Sequence, residues 1–205
     1  MKIDPLPSLQ GSNDNQPSPR SGWVFRKLWP QDAPALCAHL LRLDPEQRAC
    51  RFGRPVADEW IATYCASTDW ARSVTLGCWV AGELRGVSEL KILDTVWPRW
   101  AELALSVERA FETRGIGTDL FHRVLPIARN RGITRAYLLC LPANQRVQRI
   151  VRRLQPRLAY QGDQIEGEIE LSLPDPLSIA AELCDDGCAL VLSLWDWQRG
   201  LALAA

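Results

Sequence analysis

The chain has 205 residues, 47% of them apolar and 23% charged. This composition suits one globular domain with room for a short tail and excludes fibrous or broadly disordered chains. Its 24 basic and 24 acidic residues cancel, so no overall basic field draws it onto nucleic acid. No apolar run reaches the roughly 18 residues of a membrane span, and Met1-Lys2-Ile3-Asp4-Pro5 lacks the apolar core of a signal peptide. Seven cysteines without the dense spacing of a disulfide scaffold read as reduced thiols. The expectation is a soluble cytoplasmic protein that engages neither nucleic acid nor membrane.

Residues 1–21 mix Pro5, Pro7, Pro17 and Pro19 with small polar residues, too little apolar surface to offset ordering entropy, and read as a flexible leader. Trp23 to Leu28 reads as a strand. Asp32 then precedes a helical spacing of Leu36, His39, Leu40 and Leu43. A second helix is predicted over Asp58 to Ala66. Val74–Val80 and Leu84–Leu93, flanking Ala81-Gly82-Glu83, predict a β-hairpin. Ala101 to Val107 alternates, with Leu103, Leu105 and Val107 on one face and Glu102, Ala104 and Ser106 on the other. A long amphipathic helix follows, carrying Leu120, Phe121, Val124, Leu125 and Ala128 and ending at Arg131-Gly132. Arg135–Leu141 predicts a strand, Asn144 an N-cap for a helix running to about Leu154, and Leu158–Tyr160 with Glu166–Leu173 a closing strand pair. Beyond residue 175, two helical pieces are expected around Asp185-Asp186-Gly187, as an extension packed on a domain spanning 22–174.

The chemistry concentrates in Glu112-Thr113-Arg114-Gly115-Ile116-Gly117-Thr118-Asp119, between a strand and a long helix. Free N–H groups at the helix start, glycines that permit close approach and one arginine suit a phosphate or pyrophosphate. The helix dipole adds about 0.3 to 1 kcal/mol for an anion there. Leu120 stands where a dinucleotide fingerprint needs its third glycine, and the Gly-Lys-Ser/Thr ending of a phosphate loop is missing. The other reading of the glycines is a tight strand-to-helix turn alone.

This strand, turn and Arg114-Gly115-Ile116-Gly117 helix start resemble the central motif of the GNAT superfamily of acyl-CoA N-acyltransferases, Gln/Arg-x-x-Gly-x-Gly/Ala. The resemblance extends from about Trp23 to Leu173. It implies a mixed α/β (α+β) fold: a central, mostly antiparallel sheet with helices on both faces, here with a C-terminal helical extension. It also implies an acyltransferase that uses acetyl-CoA as co-substrate, needs no metal and acetylates a primary amine, either a small molecule or a protein lysine, by direct attack in a ternary complex. A catalytically silent acyl-CoA-binding or regulatory module is the alternative, because Glu112 stands where the family carries Gln or Arg and the family's later tyrosine is replaced by Val151 or Arg152. Glu112 is expected to point away from the phosphates, leaving Arg114 and the amides of Gly115, Ile116, Gly117 and Thr118 to hold them.

The family pattern runs the pantetheine arm along backbone groups of Leu105 and Val107, with an N–H near Val107 polarising the acetyl carbonyl. Asn144 matches the asparagine that touches the CoA arm, and plain N-capping accounts for it equally. An alkylammonium of pKa 10.4 is only about 0.04% neutral at pH 7, so transfer needs a base. Glu102 is the candidate, against the reading of a solvated strand-end carboxylate. The acid for the thiolate is unassigned, with water or Cys140 as options. Arg51 and Phe52, in Asp44 to Phe52, are placed at the acceptor mouth, against a helix terminus with Phe52 in the core. Trp97-Pro98-Arg99-Trp100 offers an aromatic acceptor wall through Trp100, against the reading of core or interface tryptophans. Arg146, Arg149, Arg152 and Arg153 meet the adenosine 3′-phosphate or an acidic partner, or form a solvated face. His39 and His122 receive no chemistry and no metal site. The tail, with Trp195 and Trp197, offers a homodimer or partner surface.

Overall fold

The computed structural model describes residues 22–93, 97–142, 144–152, 156–161 and 164–204. The proposed leader, residues 1–21, lies outside them, as do Arg153 and Leu154. Seven strands form one sheet in the order β1-β2-β3-β4-β5-β7-β6, with β1 Trp23–Lys27, β2 Ser73–Val80, β3 Glu83–Ile92, β4 Arg99–Val107, β5 Ile133–Cys140, β6 Arg157–Gln161 and β7 Gln164–Glu170. Every neighbouring pair is antiparallel except β4 with β5. The helices are α1 Ala33–Arg42, α2 Pro45–Phe52, α3 Asp58–Ala66, α4 Ile116–Asn130, α5 Gln145–Arg152 and α6 Pro176–Ala204.

The β2–β3 hairpin closes through Ala81 and Gly82, at φ 51° and 79°. Positive φ at both central residues matches the right-handed twist of the flanking strands. On one face of the sheet, α1 and α3 bury Leu36, Leu40 and Ile61 against Leu84 and Val87. On the other, α4 buries Phe121, Val124 and Ala128 against Leu90, Leu103 and Ala136. Phe121→Ala removes a fully buried ring. Chemical denaturation is expected to show a loss of about 3–5 kcal/mol.

Two expectations change here. The segment Asp44 to Phe52 is a helix, α2. Asp44 Oδ1 accepts from Gln47 N at 2.9 Å, Gln47 Oε1 accepts from Asp44 N at 3.3 Å, and Gly53 ends the helix at φ 70°. The tail is one helix of 29 residues rather than two pieces. Gly187 costs a helix interior only about 1 kcal/mol, and Lys27 Nζ donates to Asp186 at 2.8 Å and also to Glu182, fixing the stretch where a break was expected. Among the described residues no helix is long and apolar enough to cross a membrane.

Candidate active site

Strand β4 spends half of its backbone on β3: Leu93 N donates to Trp100 O at 2.9 Å, and Glu108 N donates to Arg85 O at 3.0 Å. The intervening alternation turns the N–H and C=O groups of Leu105 and Val107 to the opposite edge. That edge pairs with β5 only from Arg99 to Glu102, after which the two parallel strands separate. The result is a cleft of about 640 Å³ lined by Leu105, Val107, Gly115, Gly117, Thr118 and Asn144. On this edge Gln47 Nε2 donates to Val107 O at 2.9 Å, which ties α2 to the end of β4.

The β4–α4 loop turns through two left-handed residues, Thr113 at φ 63° and Gly115 at φ 101°. Gly115 is the N-cap of α4 and has no capping side chain, so the first N–H groups of the helix stay available to a ligand. A Cβ at Gly117 would sit 3.4 Å from Leu105 Cδ2 and from Ile150 Cδ1, showing how closely α4 approaches β4 and α5 at this point.

Below the cleft lies a second cavity of about 350 Å³, lined by Phe52, Trp60, Tyr64, Glu89, Lys91 and Glu102 among others. Cys50, Arg51, Leu105, Asn144 and Val147 line both cavities. Phe52, Trp60 and Tyr64 form one aromatic cluster, with ring centroids 4.9 to 5.5 Å apart. Two carboxylates face this cavity in different states. Glu89 is buried and accepts from Arg51 and, at 3.0 Å, from the Tyr64 hydroxyl. Burial first, then the Glu89 charge, push the Tyr64 phenol up. Burial opposes the charge on Arg51, but Glu89 outweighs it and holds the guanidinium protonated. Glu102 makes no hydrogen bond or ion pair among the described residues, although Lys91 is its cross-strand partner.

At the upper end of β4, fully buried His39 connects Ser106 and Glu108. Its Nε2 is 3.0 Å from Ser106 Oγ and its Nδ1 is 3.2 Å from Glu108 Oε1. Burial is the largest influence on His39 and holds it below its ordinary 6.5, with Glu108 only partly offsetting this. Burial raises Glu108, but hydrogen bonds from His39, Arg85 and Arg42 override it and bring the carboxyl down to about 2. Both groups bind fewer protons folded than unfolded, so their stabilisation is present at neutral pH. The His39 share is lost as pH falls from 6.5 through its folded value, and the Glu108 share as pH falls from 4.5 through about 2. Equilibrium unfolding against pH is expected to show this decline in the wild type and to lack its first part in His39→Gln.

The expected site residues separate as follows. Leu105, Val107, Gly115, Gly117, Thr118 and Asn144 line the cleft together. Asn144 also caps α5, its Oδ1 accepting from Val147 N at 3.2 Å, so the capping reading holds beside its place in the cleft. Ile116 contributes a core side chain, 1% exposed, and only its backbone belongs to the helix start. Arg114 is exposed over the Phe111 ring and does not line the cleft; Arg109, Arg146 and Arg149 do. Arg152 lies outside it and donates to Gln148.

Glu112 does not point away. It faces the cleft, accepting from Gln47 Nε2 at 2.8 Å and pairing with Arg146 at 2.8 Å, so its charge is neutralised in place. Arg51 and Phe52 line the lower cavity, whereas Trp100 packs on Tyr137 at 5.5 Å and lines neither. The aromatic wall comes instead from Phe52, Trp60 and Tyr64. Cys140 is buried on β5 and lines neither cavity. Sequence reasoning missed Tyr64, Glu89, Lys91 and the His39 connection; the alternation of β3 was the available signal for Glu89 and Lys91. No group of three or more His, Cys, Asp or Glu side chains among the described residues could hold a metal ion.

The fold has counterparts among solved structures. The GNAT domain of S. lividans PAT matches with TM-score 0.62 at 22% identity, over 72% of this chain and 89% of that one. YncA of Salmonella typhimurium, solved with its cofactor acetyl-CoA, matches with TM-score 0.58 at 16% identity, over 76% and 99%. The ribosomal-protein-S18-alanine N-acetyltransferase of Escherichia coli matches with TM-score 0.57 at 15% identity, over 75% and 97%. No curated protein matches the chain. The family model of the GNAT acetyltransferase domain matches residues 23–155, which include β1 through α5 and the whole cleft. The chain therefore belongs to the GNAT acetyltransferase family.

Proposed function

We propose that the chain transfers the acetyl group of acetyl-CoA to a primary amine, carried by a small molecule or a protein lysine, by direct attack in a ternary complex. One observation carries this reading: the cleft along β4 and the second cavity share Cys50, Arg51, Leu105, Asn144 and Val147 in their walls, which sets a donor site and an acceptor site side by side at Leu105. The α4 N-terminus, with Arg146 and Arg149 nearby, suits the phosphates. Leu105 and Val107 offer backbone groups to the pantetheine arm, and an N–H of this edge polarises the thioester carbonyl. The acetyl-CoA in the Salmonella neighbour supports the choice of donor.

Glu102 is the base. The other carboxylate of the lower cavity, Glu89, is committed to Arg51 and Tyr64, while Glu102 is unpartnered among the described residues. Three residues of strand separate Glu102 from Leu105, about 10 Å, so the ammonium proton travels through water in the cavity and returns by water to the leaving thiolate. The free state of all seven cysteines suits the cytoplasm. Incubation with acetyl-CoA and a panel of small amines and lysine peptides tests the reading, following CoA thiol and acetylated product together. Stoichiometric appearance of both supports it; binding of acetyl-CoA with no turnover on any acceptor would leave the silent binding module.

A further inference from the structure

The site described so far leaves one arrangement unused. Ser106 Oγ, His39 Nε2, His39 Nδ1 and Glu108 Oε1 form a line of contacts at 3.0 and 3.2 Å, and Ser106 lies on the wall of the donor cleft. The proton positions follow from the charges. Glu108 also accepts from Arg42 Nε at 2.9 Å and from Arg85 at 2.7 Å, which keeps it ionised and able only to accept. His39 Nδ1 must then carry the hydrogen, which leaves Nε2 a bare lone pair, so the Ser106 hydroxyl donates to it. This tautomer and order of contacts are those of an activated serine nucleophile. The residue after Ser106 is Val107, whose N–H looks into the cleft, the position from which a backbone amide stabilises an oxyanion on the acyl group of the preceding serine.

We propose that Ser106 is a nucleophile activated by His39 and Glu108, and that in the absence of an amine it gives the chain an acyl-CoA hydrolase activity. This rests on the reading that acetyl-CoA fills the cleft. In the first half, Ser106 Oγ bonds to the thioester carbonyl carbon and its proton passes to His39 Nε2. The carbon–sulfur bond then breaks and CoA leaves as the thiol, taking that proton. In the second half, water attacks the acetyl-serine and gives a proton to His39, and Ser106 Oγ departs and recovers it, releasing acetic acid. Glu108 holds the imidazole throughout and takes no proton.

Two readouts test this on the full chain. A fluorophosphonate probe, which needs no CoA, is expected to label wild type at Ser106 and to leave Ser106→Ala unlabelled, with peptide mapping locating the adduct. Acetyl-CoA without amine is expected to release CoA and acetate, with an acetyl increment on Ser106 in the intact mass. That release should fall about 10² to 10⁴-fold in Ser106→Ala and in His39→Gln, the contribution of a positioned base. If Ser106→Ala fails to fold, Ser106→Cys takes its place and should shift the adduct to a thioester. Labelled Ser106 in a chain that binds no acetyl-CoA would keep the nucleophile and sink the acetyl-transfer reading. An unlabelled Ser106 in a chain that binds acetyl-CoA, or acceptor-free release unchanged in Ser106→Ala, overturns the proposal and leaves the three residues as a brace between α1 and the end of β4.

Discussion

Glu102→Gln is expected to lower kcat about 10²-fold at neutral pH, the lower end of what a positioned general base contributes, while acetyl-CoA binding stays unchanged. The amide keeps the shape of the side chain and removes its ability to take a proton. Glu102 ends the stretch of β4 that pairs with β5 and lines the lower cavity, whereas the start of α4 lines the cleft. The deficit should shrink as pH rises toward the amine's own pKa of about 10.4, where free amine needs no base. Initial rates for both proteins over a range of pH measure this. A deficit constant across pH would assign Glu102 a positioning role instead, and equal rates would return it to a solvated carboxylate.

Gly117→Asp is expected to weaken acetyl-CoA binding by a factor on the order of 10², as a second negative charge facing phosphate at close range costs a few kcal/mol at an effective dielectric near 20. The substitution separates binding from folding. A Cβ at Gly117 meets its neighbours at 3.4 to 3.6 Å, near ordinary contact, and an acidic side chain in the first helical turn favours the helix dipole. The melting temperature without ligand should therefore hold, while the increase that acetyl-CoA produces in the wild type should disappear. A full ligand-induced increase in the variant would move the phosphates away from this helix end.

The parts of the fold legible in the sequence were those whose signals are local. The alternation of β4, the Ala81-Gly82 turn, the helical spacing of α1 and α4 and the Gly115-Ile116-Gly117 loop each depend on residues near one another in the chain, and each stands where it was expected. Helix α2 had its own local signal in Asp44, Pro45, Gln47 and Gly53, but the segment is short and half-exposed, with no apolar stripe to mark it. The unbroken course of α6 is not legible, because the contacts that hold its Glu182–Asp186 stretch come from Lys27, far away in sequence. The same reason explains the site. Glu112 looked like an intruding charge until Gln47 and Arg146 were brought to it from two other helices. His39 falls in the helical spacing of α1 and receives no chemistry from sequence; only the packing of α1 on β4 sets it between Ser106 and Glu108. Trp100 stands near Glu102 along the strand, whereas the aromatic wall of the cavity is built by α2 and α3.

Titration calorimetry of the purified full chain shows whether the cleft along β4 takes acetyl-CoA. One molecule is expected to bind per chain and to be displaced by CoA, with weaker binding for CoA lacking its 3′-phosphate because Arg146 and Arg149 line the cleft. A folded wild type that binds neither acetyl-CoA nor CoA would contradict this expectation.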